Sequence, residues 1–260
     1  MKLSNALAMI PHIIGSLQMA LWPTLRELLH KPSLFLSPAS IRRIFMAHLW
    51  KAGCGDGIDM NESPNRKALI TPNAYGVVLD VGAGHGHLAK YLDREKVMKY
   101  VATEPNTAMH AEIRKHAAEV GFTEADGSLV VLPYGAEQTS LISSAMGTPQ
   151  AFDTLVSIGC LCSVPKPAAT VKTLVEQLLK PGGQLLYIEH VRSPRADVAW
   201  WQAFWTPVWV NIMDGCRLAQ PTDVWIDELE MWETREPMAI SNQDEEIMFW
   251  RRMGRYVKQA

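Results

Sequence analysis

The apolar run Val77-Val78-Leu79 leads into an acid, Asp80, and then into a glycine-rich turn, Gly82-Ala83-Gly84-His85-Gly86. Glycine serves where a backbone must turn tightly or approach a ligand closely. A second acid, Glu104, ends the next apolar run, Val101-Ala102-Thr103, 24 residues after Asp80. A carboxylate at that place can accept both ribose hydroxyls of an adenosine-bearing cofactor. Farther along, His190 and Asp214 are candidates for moving a proton.

The position of Asp80 narrows the cofactor. A dinucleotide carries a pyrophosphate that binds at a helix N-terminus. S-adenosylmethionine (SAM) has no phosphate; it has a sulfonium and an amino-acid end. An acid just before the turn suits that amino-acid end better than a pyrophosphate. The run D-x-G-x-G-x-G with its following acid resembles motif I and its successor in class I SAM-dependent methyltransferases. Gly135-Ala136-Glu137 resembles the segment flanking the adenine ring, and Phe152-Asp153-Thr154-Leu155-Val156-Ser157 the motif that leads to the methyl site. Leu179-Lys180-Pro181-Gly182-Gly183 resembles the L-x-P-G-G turn before the fifth strand. These stations run in order over residues 76–190. The resemblance implies that SAM is held by Asp80, Gly82, Ala83, Gly84, Gly86, Glu104, Pro105, Asn106, Gly135, Ala136, Glu137, Ser157, Ile158 and Gly159.

Three local runs outside those motifs carry a closer likeness: Leu161-Cys162-Ser163-Val164, Ile188-Glu189-His190-Val191 and Asp214-Gly215-Cys216-Arg217-Leu218. With the aromatic stretch between the last two, they resemble the methyltransferase-like seven group, the alkyl-thiol methyltransferases, over roughly residues 65–258. This implies methylation of a thiol, or of an oxygen or nitrogen nucleophile, on a small lipophilic molecule. That group begins with a hydrophobic membrane anchor, whereas here the start is longer, interrupted by polar residues and by Pro11 and Pro23. The Trp-rich cap, Trp200 to Trp209, is similar to a specialised cap, and fungal biosynthetic clusters often recruit such enzymes. Proteins of this fold also bind SAM for non-methylating reactions such as pericyclic cyclisation, which stands as the alternative.

His190 follows the fifth strand, at the carboxyl edge where ligands bind in open α/β sheets. It is the first candidate base, and a structural hydrogen bond is its other reading. Asp214 is the second, and the Asp-Gly-Cys run reads equally as a helix C-terminal turn. Cys160, Cys162, Trp201, Trp205 and His48 are candidates for contacting substrate. Trp201, Trp205 and Trp209 recur at i, i+4 and i+8, one face of a helix. That face can be core, an aromatic wall for the substrate, a membrane-interface belt or a cage for a cationic amine.

Around these residues, short apolar runs alternate with helical periods from Tyr75 onward. Strands are expected at Gly76–Val81, Lys99–Thr103, Ser128–Leu132, Phe152–Ile158 and Gln184–Ile188, with closing strands near Arg235–Ile240 and Gly254–Lys258. Helices are expected from Gly86 to Leu92, through Glu119, over Ala168–Leu179 and over Thr222–Trp232. This predicts a Rossmann-like, doubly wound, mostly parallel seven-stranded α/β sheet. Residues 1–74 read as an N-terminal helical lid with a flexible loop at Gly53–Gly57. Residues 75–260 read as the SAM-binding domain, with an aromatic cap around residues 192–232.

Composition bounds the rest. The chain has 260 residues, a net charge of -2 and 48% hydrophobic residues, so a disordered or fibrous chain is excluded. No basic stripe points to nucleic acid. The four cysteines have no C-x-x-C spacing, so no metal is expected and a reducing, cytoplasmic setting is the default. The first fifty residues hold Lys2, Arg26, Lys31, Arg42 and Arg43 against Glu27 alone. That basic, apolar start allows peripheral membrane contact. Its polar interruptions predict that Leu3–Leu25 falls short of a spanning helix.

Overall fold

The parallel strands of the sheet are buried on both faces, and their sequences show it: Val78 to Val81 are all buried, with no polar-out alternation. The computed structural model of the chain describes residues 1–241 and 243–260. Four helices come first: α1 (Leu3–Ala6), α2 (Met9–His30), α3 (Pro38–Lys51) and α4 (Cys54–Asn73). Then follow β1 (Gly76–Val81), β2 (Val97–Thr103), α5 (His110–Glu119), β3 (Leu129–Leu132), α6 (Thr139–Met146), β4 (Phe152–Ile158), α7 (Pro167–Gln177) and β5 (Leu179–His190). The chain closes with α8 (Ala196–Ile212), α9 (Thr222–Asp227), β6 (Trp232–Met238) and β7 (Arg251–Lys258).

The sheet order is β3-β2-β1-β4-β5-β7-β6. β1 to β5 pair in parallel, and β7 runs antiparallel between β5 and β6. Register fixes the functional edge. Val81 lies opposite Thr103 on one side and Ser157 on the other, so the turns after β1, β2 and β4 emerge side by side. One apolar cluster holds Leu79, Leu155 and Leu185, and the other holds Val78, Val156 and Leu186, as the two-residue period of a strand requires.

α3 packs over the carboxyl edge, with Trp50 against the turn after β1, while α4 lays Leu69 and Ile70 on the sheet face of Val78 and Val156. α2 and α3 share a cluster of Ala20, Phe45 and Leu49 with Ile212 of α8. α4 is tied to the sheet domain by buried charge. Arg66 Nη1 donates to Asp59 Oδ1 at 2.8 Å, the Tyr91 hydroxyl donates to the same oxygen at 3.0 Å, and Lys90 pairs with the other. Glu62 pairs with Arg251 of β7.

Several elements differ from the sequence expectation. Gly53–Gly57 is not a loop: Gly53, at φ +97°, ends one turn and Cys54 opens α4. The segment after the glycine turn, expected as a helix over Gly86–Leu92, is one 3-10 stretch, His87–Tyr91. The helix expected over Thr222–Trp232 stops at Asp227, and Trp232 begins β6. The leading segment is also not too broken to span. Leu3–His30 holds a window long and apolar enough, by length and composition, to cross a membrane, at a mean hydropathy of 1.2, a test that the core helix of a soluble protein or a signal sequence also passes. Its interruptions are absorbed: the Ser16 hydroxyl donates to the His12 carbonyl at 2.8 Å and the Thr24 hydroxyl to the Ala20 carbonyl at 2.7 Å. Pro11 sits in the first turn of α2, where its missing N–H costs little.

Candidate active site

Glycine is required at the turn after β1. Gly82, Gly84 and Gly86 all have positive φ, at +70°, +56° and +78°. A side chain at Gly82 would collide with Cys160 Sγ, and one at Gly86 would lie 2.9 Å from the Ile113 backbone. At Gly84 the neighbour is Trp50 of α3, whose Nε1 lies 3.1 Å from where a Cβ would stand. The leading helices therefore close directly onto the turn.

Glu104 binds this turn from the next strand. Its Oε2 accepts the Gly84 N–H at 2.9 Å, and its Oε1 accepts the Asn106 N–H at 2.8 Å. Burial pushes its carboxyl up to about 7, against those two backbone donors. Asp80 is buried as well, accepts the Tyr100 hydroxyl at 2.7 Å and is pushed up by burial to about 7. Asp80 and Asp214 both act on Glu104 through space, in the direction that resists its ionisation. Glu104 thus binds the glycine turn directly, and Asp80 stands in the strand that leads into it. That is a poor environment for a pyrophosphate and a good one for a ligand with a sulfonium and an α-ammonium group. The residues present fit SAM.

The other expected cofactor residues lie along the same edge. Asn106 follows Pro105, and its side-chain amide donates to the Arg43 carbonyl of α3 at 2.8 Å. Gly135-Ala136-Glu137 lies between β3 and α6, with Ala136 buried and Glu137 exposed. Ser157, Ile158 and Gly159 end β4, but the Ser157 hydroxyl is spent on Glu189 Oε1 at 2.7 Å. Glu189, fully buried, also accepts the N–H groups of Cys160 and Leu161, at 3.0 and 3.3 Å. It therefore braces the loop after β4, a role with no local sequence signal.

The candidate proton acceptors part ways. His190 Nε2 lies 3.0 Å from Cys216 Sγ, so the imidazole is engaged by a thiol. Asp214 sits in the turn after α8 at φ +39°, with Arg42 Nε 3.9 Å away. Burial raises its carboxyl, and Arg43 and Arg42 oppose the rise. The turn is clamped against the loop after β4: the Arg217 N–H donates to the Cys162 carbonyl at 3.1 Å.

The expected substrate residues are dispersed. Cys160 lies against Gly82, its thiol raised well above the usual range by burial. Cys162 is buried beside Cys216. His48 faces away from the edge and contacts Glu27 of α2, Nε2 to Oε2 at 2.9 Å. Trp201 and Trp205 pack with Met9 and Ile13 of α2, and Trp205 Nε1 donates to the Ala6 carbonyl at 2.8 Å. These tryptophans therefore fasten the leading helices to α8. A surface hollow of about 400 Å³, lined by Ser140, Ser143, Pro149, Gln150, Glu176 and Gln177, lies by the starts of β4 and β5, at the opposite edge.

The methyltransferase-domain family matches residues 59–224. Thiol S-methyltransferase TMT1B of Rattus norvegicus is 32% identical over 58% of this chain and 57% of its own length. The Homo sapiens protein of the same name is 30% identical over 62% of this chain and 61% of its own. The chain thus spans about three fifths of the curated relatives it matches. An O-methyltransferase family protein from Burkholderia thailandensis has the same fold, at a TM-score of 0.60 and 15% identity, over 92% of this chain and 68% of that one. The chain belongs to the methyltransferase-domain family, and its sheet, glycine turn and strand-end acids are those of a class I SAM-dependent methyltransferase.

Proposed function

We propose that the protein transfers a methyl group from SAM to the sulfur of a small lipophilic thiol. The observation that carries the cofactor is Glu104, whose carboxylate accepts the Gly84 N–H of the glycine turn at 2.9 Å, with Asp80 in the strand that leads into that turn. Support for sulfur comes from the relatives named as thiol S-methyltransferases. When bound, SAM supplies an electrophilic methyl on a sulfonium. The chain's own residues then have two tasks.

The first is alignment in a dry site. Trp50 over the glycine turn and the apolar face of α8 exclude water, and orientation alone is worth roughly 7–11 kcal/mol. The second is proton removal. A thiol has a pKa of about 8.5 and needs little assistance near neutrality, whereas a phenol near 10 needs more. Asp214 is our candidate to accept that proton, since His190 is engaged by Cys216.

The same reading extends to location. α2 is inside out: its buried residues include Ser16, Ala20 and Thr24, while Ile10, Ile14, Leu17, Leu21, Trp22 and Leu25 are exposed. Together with the basic start and the exposed Trp200 and Phe204, this favours a protein lying against the cytoplasmic face of a membrane, where lipophilic acceptors dissolve.

The test is to incubate the purified protein with SAM and panels of lipophilic thiols, phenols and amines, and to quantify S-adenosylhomocysteine. Product with thiols alone supports the reading. Product with phenols or amines alone moves the target atom. SAM binding with no S-adenosylhomocysteine from any panel overturns methyl transfer to these acceptors.

A further inference from the structure

Three side chains from three distant segments meet behind the methyl-transfer edge. Cys162 comes from the loop after β4, His190 from the end of β5, and Cys216 from the turn after α8. Cys162 Sγ is 3.6 Å from Cys216 Sγ, and Cys216 Sγ is 3.0 Å from His190 Nε2. All three atoms lie within 4.8 Å of one another, and both cysteines are free thiols. We propose that Cys162, His190 and Cys216 bind one zinc ion, leaving its fourth position open to an exogenous ligand.

Bond lengths of about 2.3 Å to sulfur and 2.0 Å to nitrogen set the ligand atoms of a tetrahedral zinc roughly 3.5–3.8 Å apart. The two sulfurs already stand at that spacing, and the imidazole needs to withdraw by only about half an ångström. Two thiolates and an imidazole form a soft-to-borderline set that selects zinc over magnesium or calcium.

Charge favours the same occupant. The cluster is walled by Met9, Val198, Trp209, Leu218 and Met248. A lone thiolate among these side chains would be costly. A divalent cation reverses that balance: two thiolates cancel its charge, and the filled site is neutral. The sequence expectation of no metal rested on local cysteine spacing. These ligands are brought together only by the sheet, across 54 residues between Cys162 and Cys216.

Three protein ligands and one open position are the arrangement of catalytic rather than structural zinc. A soft open position suits a thiolate, and in this respect the inference meets the proposed thiol substrate. Its test needs no turnover, so the two readings fail separately. The purified full chain is stripped with chelator and titrated with cobalt(II), a spectroscopic substitute for zinc. One equivalent is expected, with a near-ultraviolet thiolate-to-cobalt band that zinc displaces. Cys162→Ser and Cys216→Ser should each lose that band while keeping a SAM-induced rise in melting temperature, and His190→Ala should weaken binding by about tenfold or more. Substoichiometric cobalt in the wild-type protein, or an unchanged band in the Cys162→Ser/Cys216→Ser double variant, would overturn the site. The wild-type titration decides the matter even if a variant fails to fold.

Discussion

The Gly84 amide donates to the Glu104 carboxylate at 2.9 Å, so the acid at the end of β2 holds the turn that follows β1. Ligand recognition and loop shape thus depend on one side chain. Its protonation state should govern both.

Ribose hydroxyls donate best to an ionised Glu104. The unfolded carboxyl titrates near 4.5 and the folded one near 7, so the native state holds the extra proton between those values. In the ligand-free protein this stabilising contribution is complete below about pH 4.5 and is lost as pH rises through 7. SAM affinity should move the other way. Only about one tenth of Glu104 is ionised at pH 6 against nine tenths at pH 8, so the Kd should tighten roughly tenfold between them. Glu104→Gln should bind weakly and flatten the profile. Calorimetric titration at both pH values checks this, and a pH-independent wild-type Kd would refute it.

Gly86 faces backbone rather than a movable side chain. Gly86→Ala places a Cβ 2.9 Å from Ile113 Cα and holds alanine at φ +78°. A loss of about 1–3 kcal/mol is expected, measured by denaturant unfolding. Gly57→Ala is the control, because a Cβ there meets nothing within 4 Å.

Asp214→Asn removes the proposed proton acceptor and leaves the Glu104 hydrogen bonds intact. SAM affinity should stay within about twofold while kcat falls by on the order of a hundredfold. The fall should be larger for a phenol than for a thiol, since the thiol ionises more readily. Parallel kinetics on matched acceptors test the difference.

The outward face of α2 makes a solution prediction. Replacing Ile14, Leu17 and Leu21 by serine should abolish co-sedimentation with vesicles and leave the melting temperature nearly unchanged, because all three are exposed. Undiminished vesicle binding would remove α2 from the membrane reading.

Some of this was legible in the sequence, and the limits have physical causes. Val77 to Gly86 is a local pattern, and Glu104 follows at the distance that one strand and one turn dictate, so the cofactor edge could be read directly. The five parallel strands were equally plain as short apolar runs. Gly53–Gly57 misled because glycine's low helix propensity is overridden by tertiary contacts: Trp50 packs on Gly55, and His87 Nε2 contacts Asp56 Oδ1 at 2.8 Å. Ser16 resembled a break in an apolar helix, yet its hydroxyl satisfies itself on the preceding turn. The engagement of His190 by Cys216 spans 26 residues and an intervening helix, and no spacing rule announces such a contact.

The Asn106 side chain holds the Arg43 carbonyl, and the Asn106 amide is held by Glu104. A continuous line of hydrogen bonds therefore joins the ribose-binding acid to α3, the helix that carries Trp50. On the proposed function, occupation of the nucleoside position would thereby be felt at Trp50, over the glycine turn. Such wiring favours compulsory order in the catalytic cycle: donor first, acceptor second, methylated product leaving before the spent nucleoside.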